Sequence, residues 1–200
     1  LVLLAAGSAG AQARIDGIQV ADGATLLFTA KAGEVSTPDG GSIHFWGYQE
    51  DNDLGGLPAG PLPQYPGPTL IIGQGSTVTI NFKSDLPFGQ CSSMIFPGHQ
   101  VTATGGNIGL ITQESCSLAQ VVTYEIDASQ PGTYTYYSGT QTELQIEMGL
   151  VGTIIVRPSD GEAFAYNNPA TGFDHEVLFL LSSMDPYIHQ QVEQGNIAAV

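Results

Sequence analysis

Six side chains of this sequence could bind a soft or borderline metal through nitrogen or sulfur: His44, His99, His175, His189, Cys91 and Cys116. A blue-copper site needs two imidazoles, a thiolate and a weak axial ligand brought together. Neither cysteine has a histidine within five residues, and Met94, Met148 and Met184 are too dispersed to share a thioether site. Copper thiolate ligation is therefore set behind the other reading, one Cys91–Cys116 disulfide in an oxidising compartment. Of the imidazoles, His99 is the candidate metal contact, but no second histidine is near it in sequence. The ordinary structural role is preferred for all four: His44 at a half-exposed strand position, His175 at the start of a strand, His189 solvated on a short helix. Glu50, Asp51 and Asp53 form an acidic loop whose oxygens could hold a hard cation, although most such clusters are merely solvated. There is no G-x-S-x-G elbow, H-E-x-x-H pair or phosphate loop, and scattered Ser, His and Asp do not make a triad.

The elements that would position these residues are short strands. The 200 residues include 26 glycines and 12 prolines, and only 12% are charged, which favours strands joined by tight turns over helix bundles. Val78, Ile80 and Phe82 alternate with Thr77, Thr79 and Asn81, and Val122, Tyr124 and Ile126 repeat that period. Further strands are expected at 43–48, 69–72, 132–137 and 151–156, with Tyr134, Tyr136 and Tyr137 packing within theirs. Residues 50–68 read as a loop. The fold expected over 15–158 is an all-β Greek-key sandwich with the six alternating apolar residues inward. The charge balance, 19 acidic against 4 basic residues for a net −15, argues against nucleic acid and against an anionic membrane surface as partners.

Both ends carry their own signals. Leu1 to Ala6 is an apolar run too short to span a bilayer, and Ala11-Gln12-Ala13 has the form of a cleavage site. Residues 1–13 are thus expected to be the remnant of a signal peptide, implying a secreted or periplasmic protein with no membrane span. Residues 159–173 read as a linker. Val177 to Leu181 then suggests a strand, and Asp185-Pro186 a helix start, with Ile188 and Val192 on one face and Gly195 past the end. So small a unit cannot bury a core alone, so 174–200 is expected to be the start of a second, truncated domain.

Three stretches carry a family resemblance. Tyr65-Pro66-Gly67-Pro68-Thr69-Leu70, followed by Gly73-Gln74-Gly75-Ser76-Thr77-Val78, resembles the PGPTL…G-D-x-V turn and strand of multicopper oxidases. Ser93-Met94-Ile95-Phe96-Pro97-Gly98 stands where that family writes S-I-H-W-H-G. Pro131 to Gly139 is similar to PGTYWYHSH, and Gly149 to Val156 to GLYGxxIV. The resemblance covers about residues 43–158 and implies the first, cupredoxin-like domain of such an enzyme.

In that family, two His-x-His pairs of this domain supply imidazoles to a trinuclear copper cluster that reduces dioxygen. The x spacing turns both imidazoles of a pair to one side of a strand. The corresponding residues are Ile95 and Pro97, then Tyr137 and Gly139. Three of them offer no donor, and a phenol of ordinary pKa is a poor one. The resemblance thus implies copper and oxidoreductase activity in the intact protein, with further cupredoxin domains of the same chain as partners. No copper ligand or cofactor-binding residue is expected in this segment, and no catalytic residue is assigned. Ile95, Pro97 and Tyr137 are instead expected to pack into a dry cluster at the old site's edge. The alternative is a non-enzymatic binding or structural module that has lost copper.

Overall fold

The structure is a computed structural model that describes residues 14–51, 62–161 and 163–197. The apolar run and cleavage-like site at 1–13 lie outside the described residues, as do Asp53 and most of the loop around it. In chain order the strands are β1 (Ile18–Val20), β2 (Thr25–Ser36), β3 (Ser42–Glu50), β4 (Leu70–Gly73), β5 (Thr77–Asp85), β6 (Gln100–Gly105), β7 (Asn107–Ile108), β8 (Gln113–Glu114), β9 (Val122–Asp127), β10 (Gly132–Tyr137) and β11 (Val151–Arg157). Two helices, α1 (Thr142–Met148) and α2 (Pro186–Glu193), accompany them.

Two mixed sheets form the sandwich, one ordered β1-β4-β11-β10 and the other β3-β2-β5-β9-β6, while β7 and β8 make a separate hairpin. The β5–β9 ladder aligns Val78 with Ile126, Ile80 with Tyr124 and Phe82 with Val122. All six expected core side chains are fully buried. Aromatic rings bridge the layers: Tyr48 lies 5.5 Å from Tyr136, and Phe96 5.7 Å from Tyr124, between ring centroids. Edge-to-face and tilted pairs at this range add to the area they bury. The strands expected at 43–48, 69–72, 132–137 and 151–156 all form, within a residue or two at their ends.

The C-terminal stretch differs from expectation in two respects. Residues 177–181 run extended but join no β-ladder among the described residues. Leu178 and Leu180 turn inward, lining a recess with Thr153, while Val177, Phe179 and Leu181 are exposed. The alternation is that of a strand; what is lacking is a partner edge. Helix α2 forms as its end signals indicate. Asp185 Oδ1 accepts from Tyr187 N at 2.8 Å, Pro186 takes the first turn, and Gly195 follows at φ +82°. His189 is not solvated. It is 1% exposed, with Nδ1 2.5 Å from His44 O and Nε2 3.1 Å from Glu147 O. Val192, one turn on, joins the core, because α2 covers the open edge of β3. Segment 174–197 is further pinned by Arg157, which donates twice to the Glu176 carboxylate at 2.5 and 2.6 Å.

Candidate functional site

The two segments expected to carry copper ligands in a complete site lie side by side. Ile95 N donates to Tyr137 O at 2.8 Å and Tyr137 N to Ile95 O at 3.2 Å, an isolated antiparallel bridge at the end of β10. The two segments thus pair as strands do, although none of the four positions 95, 97, 137 and 139 is a histidine. What fills the seam differs from the dry cluster the sequence suggests. Ile95 and Tyr137 are only half-buried and Pro97 is exposed. Ile95 leans over Gly139: a Cβ there would meet Ile95 Cγ2 at 2.9 Å and Ser93 Oγ at 3.2 Å. Where the second pair would place an imidazole, the space is taken.

Behind these residues the seam is polar and self-satisfied. Ser93 Oγ accepts from Gly139 N at 3.1 Å, and Thr140 Oγ1 stands 2.9 Å from both Ser93 Oγ and the Glu114 carboxylate. Ser138 Oγ donates to Gln145 Oε1 at 2.6 Å, and Gln145 Nε2 donates to Cys91 O at 2.7 Å. Ser92, Ser93, Ser115, Ser138 and Gln145 are all buried. Buried hydroxyls and amides need such partners, since an unmet one costs about 1–3 kcal/mol. Helix α1 exists in this context to deliver Gln145. Its end depends on Gly149 at φ +118°, where a Cβ would strike the Tyr65 ring at 2.3 Å and Trp46 O at 2.6 Å.

Three phenols frame the seam from the core side. Tyr48 Oη donates to Ser93 O at 2.9 Å, Tyr124 Oη to Gln113 O at 2.6 Å, and Tyr136 Oη to Pro68 O at 2.6 Å. Burial raises the pKa of all three, so they act as neutral donors. Cys91 and Cys116 are bonded, with Cα atoms 3.9 Å apart. The bond ties the 92–116 excursion beside the Ser92–Ser115 bridge.

His99 does not replace a missing ligand. Its ring packs tilted against Tyr134 with centroids 4.5 Å apart, and Nε2 is buried without a hydrogen-bond partner. Burial pushes its pKa down, against the opposing pull of the Asp127 backbone and carboxylate. It belongs to neither of the two His, Cys, Asp and Glu groupings close enough to hold a metal among the described residues. Asp51, from the acidic loop, is occupied by protein donors: Thr29 Oγ1, Gln49 Nε2 at 2.5 Å and Lys31 Nζ at 3.9 Å. His175 is exposed at the head of the extended stretch. The donor set at 95, 97, 137 and 139 does not fit a copper cluster, because Ile95 occupies the room beside Gly139 and the buried polar atoms already satisfy one another.

Comparison with known proteins agrees with the sandwich fold. Residues 63–161 match the multicopper oxidase family. A multicopper oxidase of Talaromyces pinophilus is 31% identical over 148 residues, covering 68% of this chain and 24% of the relative. An iron transport multicopper oxidase of Gibberella zeae is 33% identical over 121 residues, 60% of this chain and 18% of the relative. The chain thus spans about a quarter or less of the length of these relatives. Among solved structures, a copper nitrite reductase of Nitrosomonas europaea aligns with TM-score 0.53 at 22% identity, over 74% of this chain and 44% of that one. A multicopper oxidase of Pseudomonas thermotolerans gives 0.51 at 16%, over 70% and 30%. These two structural likenesses establish the cupredoxin-like sandwich and nothing finer.

Proposed function

We propose, from the premise that this chain belongs to the multicopper oxidase family, that it serves as the N-terminal scaffold domain of a larger, secreted or periplasmic copper oxidoreductase. The copper chemistry of that protein would reside in further cupredoxin domains of the same chain. This segment contributes framework rather than ligands. The observation that carries the reading is the seam at Ile95 and Tyr137. It keeps the paired backbone of a ligand-bearing domain but fills it with Ile95, Ser93, Ser138 and Gln145. Copper would supply one-electron redox chemistry in the intact protein. The residues described here would hold the first domain's shape, exclude water from its core and present a face to its neighbours.

Support for further domains comes from Val177, Phe179 and Leu181, 71%, 81% and 89% exposed on an extended, unpaired stretch. Such a stretch offers free backbone donors and acceptors along with an apolar face. A second reading, a non-enzymatic module that has lost copper, is favoured by the completeness of the replacement, since every buried seam hydroxyl described above has a partner. Purification of the native protein from culture supernatant or periplasm separates the two. The oxidase reading expects a polypeptide longer than these 200 residues, blue-copper absorption and turnover of a reducing substrate with dioxygen. A protein without copper and without oxidase activity would leave the module reading standing.

A further inference from the structure

We infer that strand β6, with the hairpin that follows it, is a surface on which a second copy of this chain pairs edge to edge, giving a two-fold symmetric dimer. The two sheets end in the edge strands β1, β10, β3 and β6. The first three are short or met by other parts of the chain. β1 has three residues, β10 meets Ile95 at its end, and α2 docks on β3. Strand β6 runs in regular register against β9, and among the described residues no strand pairs with its other side. All of its residues but Ala103 are exposed. An open edge presents backbone N–H and C=O groups that can template a further strand, and proteins blunt such edges with lysine, proline, bulges or inward charges. Gln100-Val101-Thr102-Ala103-Thr104-Gly105 carries none of these.

Charge decides which partner fits. With 19 acidic and 4 basic residues, net −15, most faces of two copies repel each other. From Leu86 to Tyr124, however, the sequence holds one charged residue, Glu114, and its carboxylate is engaged by Thr140 Oγ1 at 2.9 Å. Strand β6 and the β7–β8 hairpin lie wholly within that stretch. Glu125 and Asp127 stand one strand back, on β9, opposite Thr102 and Gln100. A basic partner would be drawn to the acidic faces instead. An uncharged edge is matched by another uncharged edge, and a second copy supplies it.

The side chains of this region support the same occupant. Ile108 and Leu110 are 89% and 97% exposed, and Val101, Ile111 and Leu118 are exposed as well. Apolar side chains gathered on one uncharged excursion are what a partner surface covers. A six-residue edge is small for a specific interface, and the hairpin tip adds area to it. A two-fold axis perpendicular to the sheet sets β6 antiparallel to its own copy, so that outward donors meet outward acceptors. The same face of both strands then points to the same side, which brings threonines of the two copies together, a favourable cross-strand pairing. This surface is independent of the scaffold reading, since it requires neither copper nor further domains.

Sedimentation velocity of the 200-residue protein over a concentration series tests the surface. A reversible monomer–dimer equilibrium is expected. It should tighten as salt rises from about 0.01 M to about 0.15 M, where the Debye length falls from about 30 Å to about 8 Å and screens the repulsion between the two acidic copies. Thr102→Lys should weaken the dimer at least about tenfold, because like charges meet near the axis. Within one copy the new lysine faces Glu125 across the β6–β9 ladder, so the fold is kept. Leu110→Glu, at the exposed tip, should weaken it too, whereas Phe179→Ser in the unpaired C-terminal stretch should leave it unchanged. Amide hydrogen exchange over 100–105 should slow as protein concentration rises. A monomer at every concentration, an unchanged dimer in Thr102→Lys, or a dimer lost in Phe179→Ser would overturn the assignment.

Discussion

The β5–β9 ladder and the Ile95–Tyr137 seam lie in one sandwich but are held together by different physics. The ladder buries Val78, Ile80, Phe82, Val122, Tyr124 and Ile126 completely, and burial of apolar surface is indifferent to what the protein does. The seam buries Ser92, Ser93, Ser115, Ser138 and Gln145, which are tolerable only as a mutually bonded set. The first arrangement preserves a fold through wide sequence change. The second lies at the Ile95–Tyr137 bridge, where hydrogen bonds hold the backbone geometry. Fold and site are therefore separable in this molecule.

The comparison can be broken most strongly at the ladder. Phe82→Ala should lower unfolding free energy by about 3–5 kcal/mol in denaturant titration, with transfer and cavity costs adding. A loss below that of any seam variant would mean the ladder is not the dominant store of stability. Next is the disulfide beside the seam. Cys91→Ser with Cys116→Ser opens a link across 25 residues, and a loss of about 3 kcal/mol is expected in the same assay. The seam itself is probed by Gln145→Leu, which leaves Ser138 and the Cys91 carbonyl without their partner. About 1–3 kcal/mol should be lost. Gly139→Ala places a methyl 2.9 Å from Ile95 Cγ2 and should cost about 1–3 kcal/mol, less in an Ile95→Ala background, which removes that carbon.

The smallest effect expected is at the ion pair that holds the C-terminal stretch. The hydrogen bond from Arg157 is the largest influence lowering the Glu176 pKa, opposed by burial. A carboxylate lowered in the folded state stabilises above its unfolded pKa of about 4.3 and loses that contribution as pH falls through the folded value. Melting temperatures of the native sequence and Glu176→Gln should therefore differ at neutral pH and converge in acid. A gap that persists unchanged into acid would assign the difference to packing instead.

How far the sequence reveals each region follows from the same contrast. The clean alternation of 77–82 and 122–126 makes the ladder readable, because each side chain reports one face. Strand β2 escapes such reading. Its run Thr25–Ser36 contains Lys31, Ala32, Gly33 and Glu34 and shows no steady period, since its pairing with β3 and β5 sets its place. Strand β6, Gln100–Gly105, is mostly exposed and has almost no apolar pattern to detect. At the site, the residue identities Ile95, Pro97, Tyr137 and Gly139 are plain in the sequence. Their replacement is not. Serines occur in many places without meaning, and Gln145 arrives on α1, seven residues long and too short for helical periodicity. The burial of His189 depends on α2 docking across 145 residues of sequence onto His44, a contact no local pattern encodes.

The central claim is that the seam holds itself together without copper. Its most direct measurement is copper stoichiometry of the purified 200-residue protein after copper loading and a chelator wash, alongside His99→Ala. The account predicts far less than one retained copper per chain in both proteins, with identical circular dichroism. One or more coppers retained by the native sequence and lost on His99→Ala would show that a site had been rebuilt in the seam, and would contradict it.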